Sequence, residues 1–473
     1  MSLAPAEIVA RLTALLGADA VIGDVAQMAA YLNEPRKRYH TPAVAVARPR
    51  DVAQVQTLCR WASENRVGLI PQSGNTGLVG AQVPLGGNEV IVSLQRLDRV
   101  REVNAAAGNM TLEAGVILQH AHELAEAEGA IFPLWIASQG SARIGGVLSS
   151  NAGGVQVLAY GNARELCLGV EAVLADGSLY RGLNALKKDN TGYDLKDLLV
   201  GAEGTLGIIT AATLRLFPKP EGYETAFCSV DSPDNGLELF YLMRERVGTR
   251  LTAFELMPRF GIELQLKHGI LARDPAASVS PWYVLVEVNR MTGGVAGALE
   301  AALSEALERG IMSDASIAQS EADRRLMWTA REQMSEVQSK EGTSIKHDIS
   351  VPIAAVPQMI DEGVAAVEKV IDGIRPCVFG HMGDGNLHFN LSQPVGWDGK
   401  AFMAREHDVN DAVYAVVAKL NGSISAEHGI GQLKSGLLAQ VKDPVALAMM
   451  RSIKQALDPN GIMNPGKLLV SST

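Results

Sequence analysis

Cys377-Val-Phe-Gly-His-Met-Gly-Asp-Gly-Asn-Leu-His-Phe-Asn390 sets a histidine on either side of Asp384-Gly385. An Asp-Gly dipeptide between two strand-like runs is a strong hairpin signal. If the strands pair symmetrically about that dipeptide, His381 and His388 face each other across them, with Cβ atoms about 5 Å apart. Two imidazoles that close suit shared coordination of a divalent cation; two packing histidines are the alternative. A third ligand candidate stands in Ser425-Ala-Glu-His-Gly-Ile-Gly431, where Glu427 and His428 could equally be a helix-start cap and its neighbour. His347 lies on the Ile345, Ile349 and Val351 side of a strand and reads as a core histidine. His120, His122, His268 and His407 read as surface or packing residues.

Cationic residues fall nearby. A long helix is expected over 321–340, on which Arg331 and Ser335 are four apart and share a face. Thr343-Ser-Ile-Lys-His-Asp-Ile-Ser-Val-Pro352 alternates as a strand, which places Lys346 with Ser344 and Asp348 opposite the isoleucines. Taken alone, an Arg or Lys on a polar face is a solvated residue.

Glycine, 47 of 473 residues, gathers where backbone must come close to something. One cluster lies in Pro71-Gln-Ser-Gly-Asn-Thr-Gly-Leu-Val-Gly80 and its tail. A second runs through Ser138-Gln-Gly-Ser-Ala-Arg-Ile-Gly-Gly-Val-Leu-Ser-Ser-Asn-Ala-Gly-Gly154 to Gly201-Ala-Glu-Gly-Thr-Leu-Gly207. The first follows a strand over 44–47, a helix through about 63 that opens with a capping box from Asp51 and Gln54, and a strand over 67–70. Its successive amides, with the Ser73 and Thr76 hydroxyls, form a nest for phosphate oxygens. Neither the P-loop pattern nor a G-x-G-x-x-G that opens a helix is present, so a P-loop NTPase is excluded and a Rossmann domain is unsupported.

These segments need a large scaffold. At 473 residues and 47% apolar composition the chain has material for two domains. Strands over 169–175 and 178–181 flank a turn at Asp176-Gly177, and a strand pair is expected over 204–217. Further on, strands over 225–230, 251–256 and 282–288 alternate with helices over 235–247, 258–268 and 295–309. Forty-two basic residues against 52 acidic give a net charge of −10, a poor match to nucleic acid. No apolar run reaches the roughly 18–20 residues of a membrane span. A signal peptide is not expected, since Glu7 and Arg11 interrupt the start. Met1-Ser2-Leu3 reads as a possible vector remnant. Four scattered cysteines, with no C-x-x-C, read as buried free thiols in a cytoplasmic protein.

Three motifs together carry a resemblance: the P-x-S-G-N-T-G-L loop, the G-G-x-x-x-x-N-A-G-G run, and Asp194-Leu-Lys-Asp-Leu-Leu-Val-Gly-Ala-Glu-Gly-Thr-Leu-Gly-Ile-Ile209. They resemble the vanillyl-alcohol oxidase/p-cresol methylhydroxylase superfamily. Within it, from 42 to 469, the chain is similar to the FAD-dependent D-2-hydroxyacid dehydrogenases, the D-2-hydroxyglutarate enzymes above their D-lactate and glycolate relatives. The resemblance implies an α+β fold: a two-subdomain FAD-binding domain over 1–220, an α+β substrate domain over 221–420, and a C-terminal segment over 421–473 that returns to the flavin. It implies that Gln72, Ser73, Gly74, Asn75, Thr76 and Gly77 hold the FAD pyrophosphate. Gly140, Ser141, Gly145, Gly146 and Asn151 would line the ribityl chain and isoalloxazine, Ile209 the adenine side, and Asn464 of Asn464-Pro-Gly-Lys467 would lie near the cofactor. Covalent relatives carry a histidine near the first loop; Asn75 stands there instead, so FAD is expected to be non-covalent.

By the same resemblance His381, His388 and Glu427 bind the metal, Zn²⁺ or Mn²⁺, and His428 is the catalytic base. Two histidines and a carboxylate with open positions suit that role. Arg331, Ser335 and Lys346 match the family's substrate-binding spacing, with Ser335 where threonine is usual, and Asn390 helps orient the substrate. A second cation fits a D-2-hydroxy dicarboxylate with its extra carboxylate. With no nicotinamide motif, reoxidation is expected from an electron-transfer flavoprotein or a quinone-linked carrier. Homodimerisation is a family-level expectation. D-Lactate or another monocarboxylate is the near alternative; a metallohydrolase with structural glycine loops is the remote one.

Overall fold

The computed structural model describes residues 3–291 and 297–470, and the chain divides into two compact units. The first comprises Met1–Gly154, Gly161–Lys219 and Glu427–Thr473; the second comprises Val155–Tyr160 and Pro220–Ala426.

The first unit holds two main sheets. Strands β1 (Val21–Ile22), β2 (Ala45–Ala47), β3 (Leu69–Gln72) and β4 (Val90–Ser93) are ordered β1-β2-β4-β3, with β2, β4 and β3 parallel. Parallel strands are covered on both faces, so they read as continuous apolar runs. Ala45, Ala47, Leu69 and Val90 pack against the helices Pro5–Leu16 and Val52–Asn65; Val46, Ile70 and Ile91 pack with Met28 of the helix Val25–Leu32. Asp51 caps Val52–Asn65, its carboxylate accepting from the Gln54 amide at 2.8 Å. The expected capping box is not closed: the Gln54 side chain accepts from Arg50 N, one residue further back, at 2.9 Å.

The second sheet is antiparallel. It is built from β5 (Val100–Asn104), β6 (Asn109–Glu113), β8 (Cys167–Val173), β9 (Leu179–Gly182) and β10 (Ile208–Arg215), in the order β5-β6-β10-β8-β9. The pair expected over 204–217 is instead the single strand β10 followed by β11 (Phe217–Pro218), which pairs with β7 (Ala130–Ile131). Gly201-Ala-Glu-Gly-Thr-Leu-Gly207 forms turns, and strand begins only with the β-branched run after it. Near the C-terminus the chain joins the first sheet: Leu69 N donates to Ile462 O at 2.8 Å and Asn464 N to Leu69 O at 2.9 Å.

The second unit is one seven-stranded antiparallel sheet with helices on both faces. Its strands are β12 (Gly222–Val230), β13 (Leu251–Pro258), β14 (Trp282–Arg290), β15 (Asp314–Ile317), β16 (Ser344–Ser350), β17 (Arg375–His381) and β18 (Asn386–Ser392), ordered β15-β12-β14-β13-β17-β18-β16. One face carries Phe254, Val286, Ile345, Phe389 and their neighbours under the helices Pro233–Val247, Ala298–Glu308, Val356–Val370 and Glu406–Lys419. The other carries Ala253, Met257, Leu285, Cys377 and Phe379 under Arg259–Lys267 and Glu321–Glu332. The helix expected over 295–309 is Ala298–Glu308, and Val295 lies outside the described residues, as do Met1 and Ser2.

Two expectations are corrected here. The helix over 321–340 breaks at Gln333 into Glu321–Glu332, Met334–Val337 and a 3₁₀ turn at Gln338–Glu341. The hairpin register is also two residues off: Phe379, not His381, lies opposite His388, and His381 lies opposite Glu255 of β13. The turn is the four residues Met382 to Gly385, with Gly385 N donating back to His381 O at 3.1 Å. Because strand side chains alternate with period two, a two-residue slip leaves both histidines on one face.

Candidate active site

In the first unit the two glycine clusters meet. A Cβ at Gly74 would lie 2.4 Å from Ser141 O, one at Gly145 would lie 2.7 Å from the Ala114 Cβ, and one at Gly146 would lie 3.2 Å from the Ser73 Cβ. Side chains on the first loop secure it: Gln72 Nε2 donates to Tyr31 O and Gln82 O at 2.8 and 3.0 Å, and Asn75, at φ 54°, donates to Asn33 O at 2.8 Å. The Ser73 hydroxyl donates to Ala114 O at 3.1 Å. Thr76 and Gly77 follow at the loop's more open end, and Gly140 and Ser141 are exposed. Asn151, at φ 51°, accepts from Arg164 N at 2.9 Å; Ile209 is buried on β10 opposite Ala172. Asn464 donates to Ala81 O at 3.0 Å and Glu203 O at 2.6 Å. Gln72 Oε1, Gln82 Oε1 and Asn464 Oδ1 are buried without a hydrogen-bond partner. Such atoms call for a polar ligand or water. Crowded glycines and unmatched polar atoms together fit a cofactor with many polar groups lying along backbone.

Glu427 and His428 open the last segment of the first unit and lie in bends, half-buried, rather than at a helix start. Glu203, which carries no local sequence signal, holds the turn after them. Its two oxygens accept from Ile430 N and Gly431 N, each at 2.7 Å. A Cβ at Gly431 would lie 2.2 Å from Val79 O, so only glycine lets that turn lie against the first loop.

In the second unit one sheet face gathers the polar residues. Lys346 pairs with Asn390 and Asp348 with His388 in the β16/β18 register, which puts all four on the side of Phe379 and His381. The His381 and His388 rings lie 5.5 Å apart. Lys346 Nζ donates to the Ser335 hydroxyl and carbonyl, both at 3.0 Å, and the Asn386 amide donates to Asp348 at 3.0 Å. Asn390 is buried with its Nδ2 unpartnered, a donor that an incoming carboxylate would satisfy. The opposite side of β16 holds His347 as a core residue, bonded to Phe389 O at 2.9 Å and Asn410 at 2.8 Å.

Two buried carboxylates under that face fix the helix Glu321–Glu332. Glu287 of β14 accepts from Arg324 Nε at 2.8 Å, Trp328 Nε1 at 2.7 Å and Thr225 Oγ1 at 2.8 Å. Glu255 of β13, 1% exposed, accepts from Arg331 Nε at 2.6 Å and from His381 Nδ1 at 2.8 Å. Positions 324, 328 and 331 follow helical spacing, so a single helix face meets both acids. Burial would raise the Glu255 carboxyl, but its contacts with His381 and Arg331 outweigh that and hold it at about 2. The sequence signal for Glu255 was a lone acid in an eight-residue strand that is buried throughout. Ser335 stands past the helix break and serves Lys346 rather than extending the Arg331 face.

The four cysteines are buried and free, each thiol pushed up by burial to about 12. Among the described residues no helix is long and apolar enough to cross a membrane.

Comparison with known proteins places this arrangement. A family described as "FAD binding domain" matches residues 43–182, and one described as "FAD linked oxidases, C-terminal domain" matches 219–468. A protein named D-2-hydroxyglutarate dehydrogenase from Xanthomonas citri pv. viticola is 37% identical over 432 residues, 91% of this chain and 90% of the relative. One of the same name from Stutzerimonas stutzeri is 35% identical over 95% of this chain and 96% of its own. The mitochondrial protein of that name from Bos taurus is 36% identical over 89% of this chain and 76% of its own. Among solved structures, p-cresol methylhydroxylase with substrate bound superposes with a TM-score of 0.76 at 16% identity, covering 98% of this chain and 96% of its own. 4-Ethylphenol oxidase from Gulosibacter chungangensis gives 0.73 at 18%, covering 98% and 97%. These structural likenesses fix the fold; the sequence matches, spanning nearly the whole chain, make it a member of the FAD-linked oxidases, in the family of the D-2-hydroxyglutarate dehydrogenases.

Proposed function

We propose that the protein oxidises a D-2-hydroxy acid, D-2-hydroxyglutarate before others, to the 2-oxo acid. The observation that carries this is the single sheet face on which two imidazoles, an ammonium and an unsatisfied amide donor stand, with the Arg331 guanidinium brought against it by the helix Glu321–Glu332. The glycine cradle would hold non-covalent FAD, which would supply the acceptor for the Cα hydride, and His381, His388 and Glu427 would hold a divalent cation, Zn²⁺ or Mn²⁺, which would supply Lewis-acid polarisation of the α-hydroxyl. Arg331 and Lys346 supply charge-assisted hydrogen bonds to carboxylate, and Asn390 adds a neutral one. One cation suffices for a monocarboxylate; the second is what a dicarboxylate uses. Ser335 holds the Lys346 ammonium in place. His428 receives the hydroxyl proton on an imidazole nitrogen as general base. Reoxidation would need an external acceptor, an electron-transfer flavoprotein or a quinone-linked carrier.

The test is anaerobic mixing of the FAD-loaded protein with D-2-hydroxyglutarate, D-malate, D-lactate and glycolate, following loss of the flavin's visible absorbance. D-2-Hydroxyglutarate is expected to bleach it fastest. Lys346→Met is expected to weaken kcat/KM for the dicarboxylate by about 10–100-fold, the worth of one charge-assisted hydrogen bond, and to spare D-lactate. Equal bleaching by D-lactate, or full dicarboxylate activity in that variant, overturns the substrate assignment.

A further inference from the structure

Glu255 lies 76 residues before Arg331 and 126 before His381, yet its carboxylate bonds both. The contacts of the His381 ring match one tautomer. A guanidinium has donors only, and Arg331 Nη2 lies 3.3 Å from His381 Nε2, so Nε2 accepts and carries the lone pair. An ionised carboxylate accepts only, and Glu255 Oε1 lies 2.8 Å from Nδ1, so Nδ1 carries the hydrogen. Both contacts fit the same tautomer, whose Nε2 lone pair meets Arg331 Nη2 here and would meet a metal ion in its place. Arg331 is fixed by the same group: Glu255 takes its Nε edge at 2.6 Å, and the guanidinium lies over the Phe379 ring at 4.9 Å. Both partners are buried, with side chains 7% exposed, so neither can swap to a water partner at low cost.

We infer that Glu255 is a positioning residue that sets, through one carboxylate, both the ligating tautomer of His381 and the orientation of Arg331 toward substrate. This rests on the reading of His381 as a metal ligand. A carboxylate behind a ligating histidine raises the basicity of the ring and locks its orientation; losing one typically costs about 10–100-fold in metal affinity. Glutamine at 255 keeps the shape but offers one acceptor and one donor group, so it cannot accept from both Nδ1–H and Nε–H.

The experiment measures Zn²⁺ affinity of the FAD-loaded protein by competition with a chelator, in the wild type, His381→Ala and Glu255→Gln. Flavin content and thermal melting are recorded for each. The inference expects tight Zn²⁺ binding in the wild type, its loss in His381→Ala, and a weakening of about 10–100-fold in Glu255→Gln with flavin retained. Steady-state kinetics should show a rise in KM for D-2-hydroxyglutarate together with a fall in kcat, and Glu255→Asp should recover part of the metal affinity. Zn²⁺ affinity in Glu255→Gln within about threefold of wild type, where His381→Ala has lost it, overturns the inference and leaves the metal site standing. Zn²⁺ binding that His381→Ala does not disturb overturns the metal site itself. Should Glu255→Gln fail to fold, ¹⁵N-histidine spectra of the wild type decide: a proton on His381 Nδ1 supports the inference, and one on Nε2 overturns it.

Discussion

Glu203 and Glu255 are both nearly inaccessible carboxylates, one in each unit, and their surroundings treat them in opposite ways. Burial raises the Glu203 carboxyl, and the amides of Ile430 and Gly431 with the charges of Lys434 and Lys467 only partly offset it. The same burial acts on Glu255, but Arg331 and His381 bind it side chain to side chain and take it down to about 2. Depth alone therefore does not decide the charge of a buried acid; the donors around it do. Backbone amides make Glu203 a clasp on the turn after His428. Charged and ring donors make Glu255 a fixed negative point beneath a polar face.

The contrast can be broken most severely at Glu255. Glu255→Ala leaves the Arg331 guanidinium buried without its partner, and denaturant unfolding should show a loss of about 3–5 kcal/mol. A loss below about 1 kcal/mol would mean that Arg331 finds another acceptor. His122 sharpens the contrast from the side of a base with no strong charge partner: burial pushes it down to about 4, with its Nε2 3.0 Å from Leu134 O and its ring 4.1 Å from that of Trp135. The neutral ring is the form the fold accepts, so its contribution is intact above about 6.5 and is lost as pH falls from there through about 4. His122→Phe should remove up to about 3 kcal/mol of that acid sensitivity, read as a flatter plot of unfolding free energy against pH. Glu203 has the opposite slope. Its folded pKa is raised above 4.5, so its contribution is present below that value and lost as pH rises through the folded one. Glu203→Gln should flatten that decline and cost about 1–2 kcal/mol at low pH, because one oxygen replaces two as acceptor for two amides. The smallest effect belongs to Ser335→Ala, which removes one hydrogen bond from Lys346. A rise of about two- to tenfold in KM for the dicarboxylate, with the melting temperature unchanged, is expected.

Local signals were legible in the sequence and long-range ones were not. Turn chemistry and period-two alternation located the hairpin, the Lys346 strand and the core role of His347, because each depends on neighbours a few residues away. Asp384-Gly385 has the composition of a two-residue turn, whereas Met382 to Gly385 form a four-residue one, which shifts the register. The slip did no harm to the histidine pair only because it was even. The break at Gln333 has no local signal, since no proline or glycine marks it between Glu321 and Lys340. The break lies where the separate partners of Arg331 and Ser335 draw the chain two ways, and those partners sit on β13 and β16. Glu255 and Glu203 lack a local signal for the same reason: an acid in an apolar strand or a glycine turn shows its purpose only once its distant partner is in place.

The path of the chain through the two units has a consequence for biosynthesis. All seven strands of the second unit have been made once residue 426 has left the ribosome's catalytic centre. The first unit begins earlier and must wait longer, because Leu69 pairs with Ile462 and Asn464, and Glu203 closes on Ile430 and Gly431. The half of the protein started first is the half completed last. The glycine-rich first unit is thus unfinished for most of translation, and a chain interrupted after residue 426 would carry the second unit's sheet complete and the first unit without its closing segment.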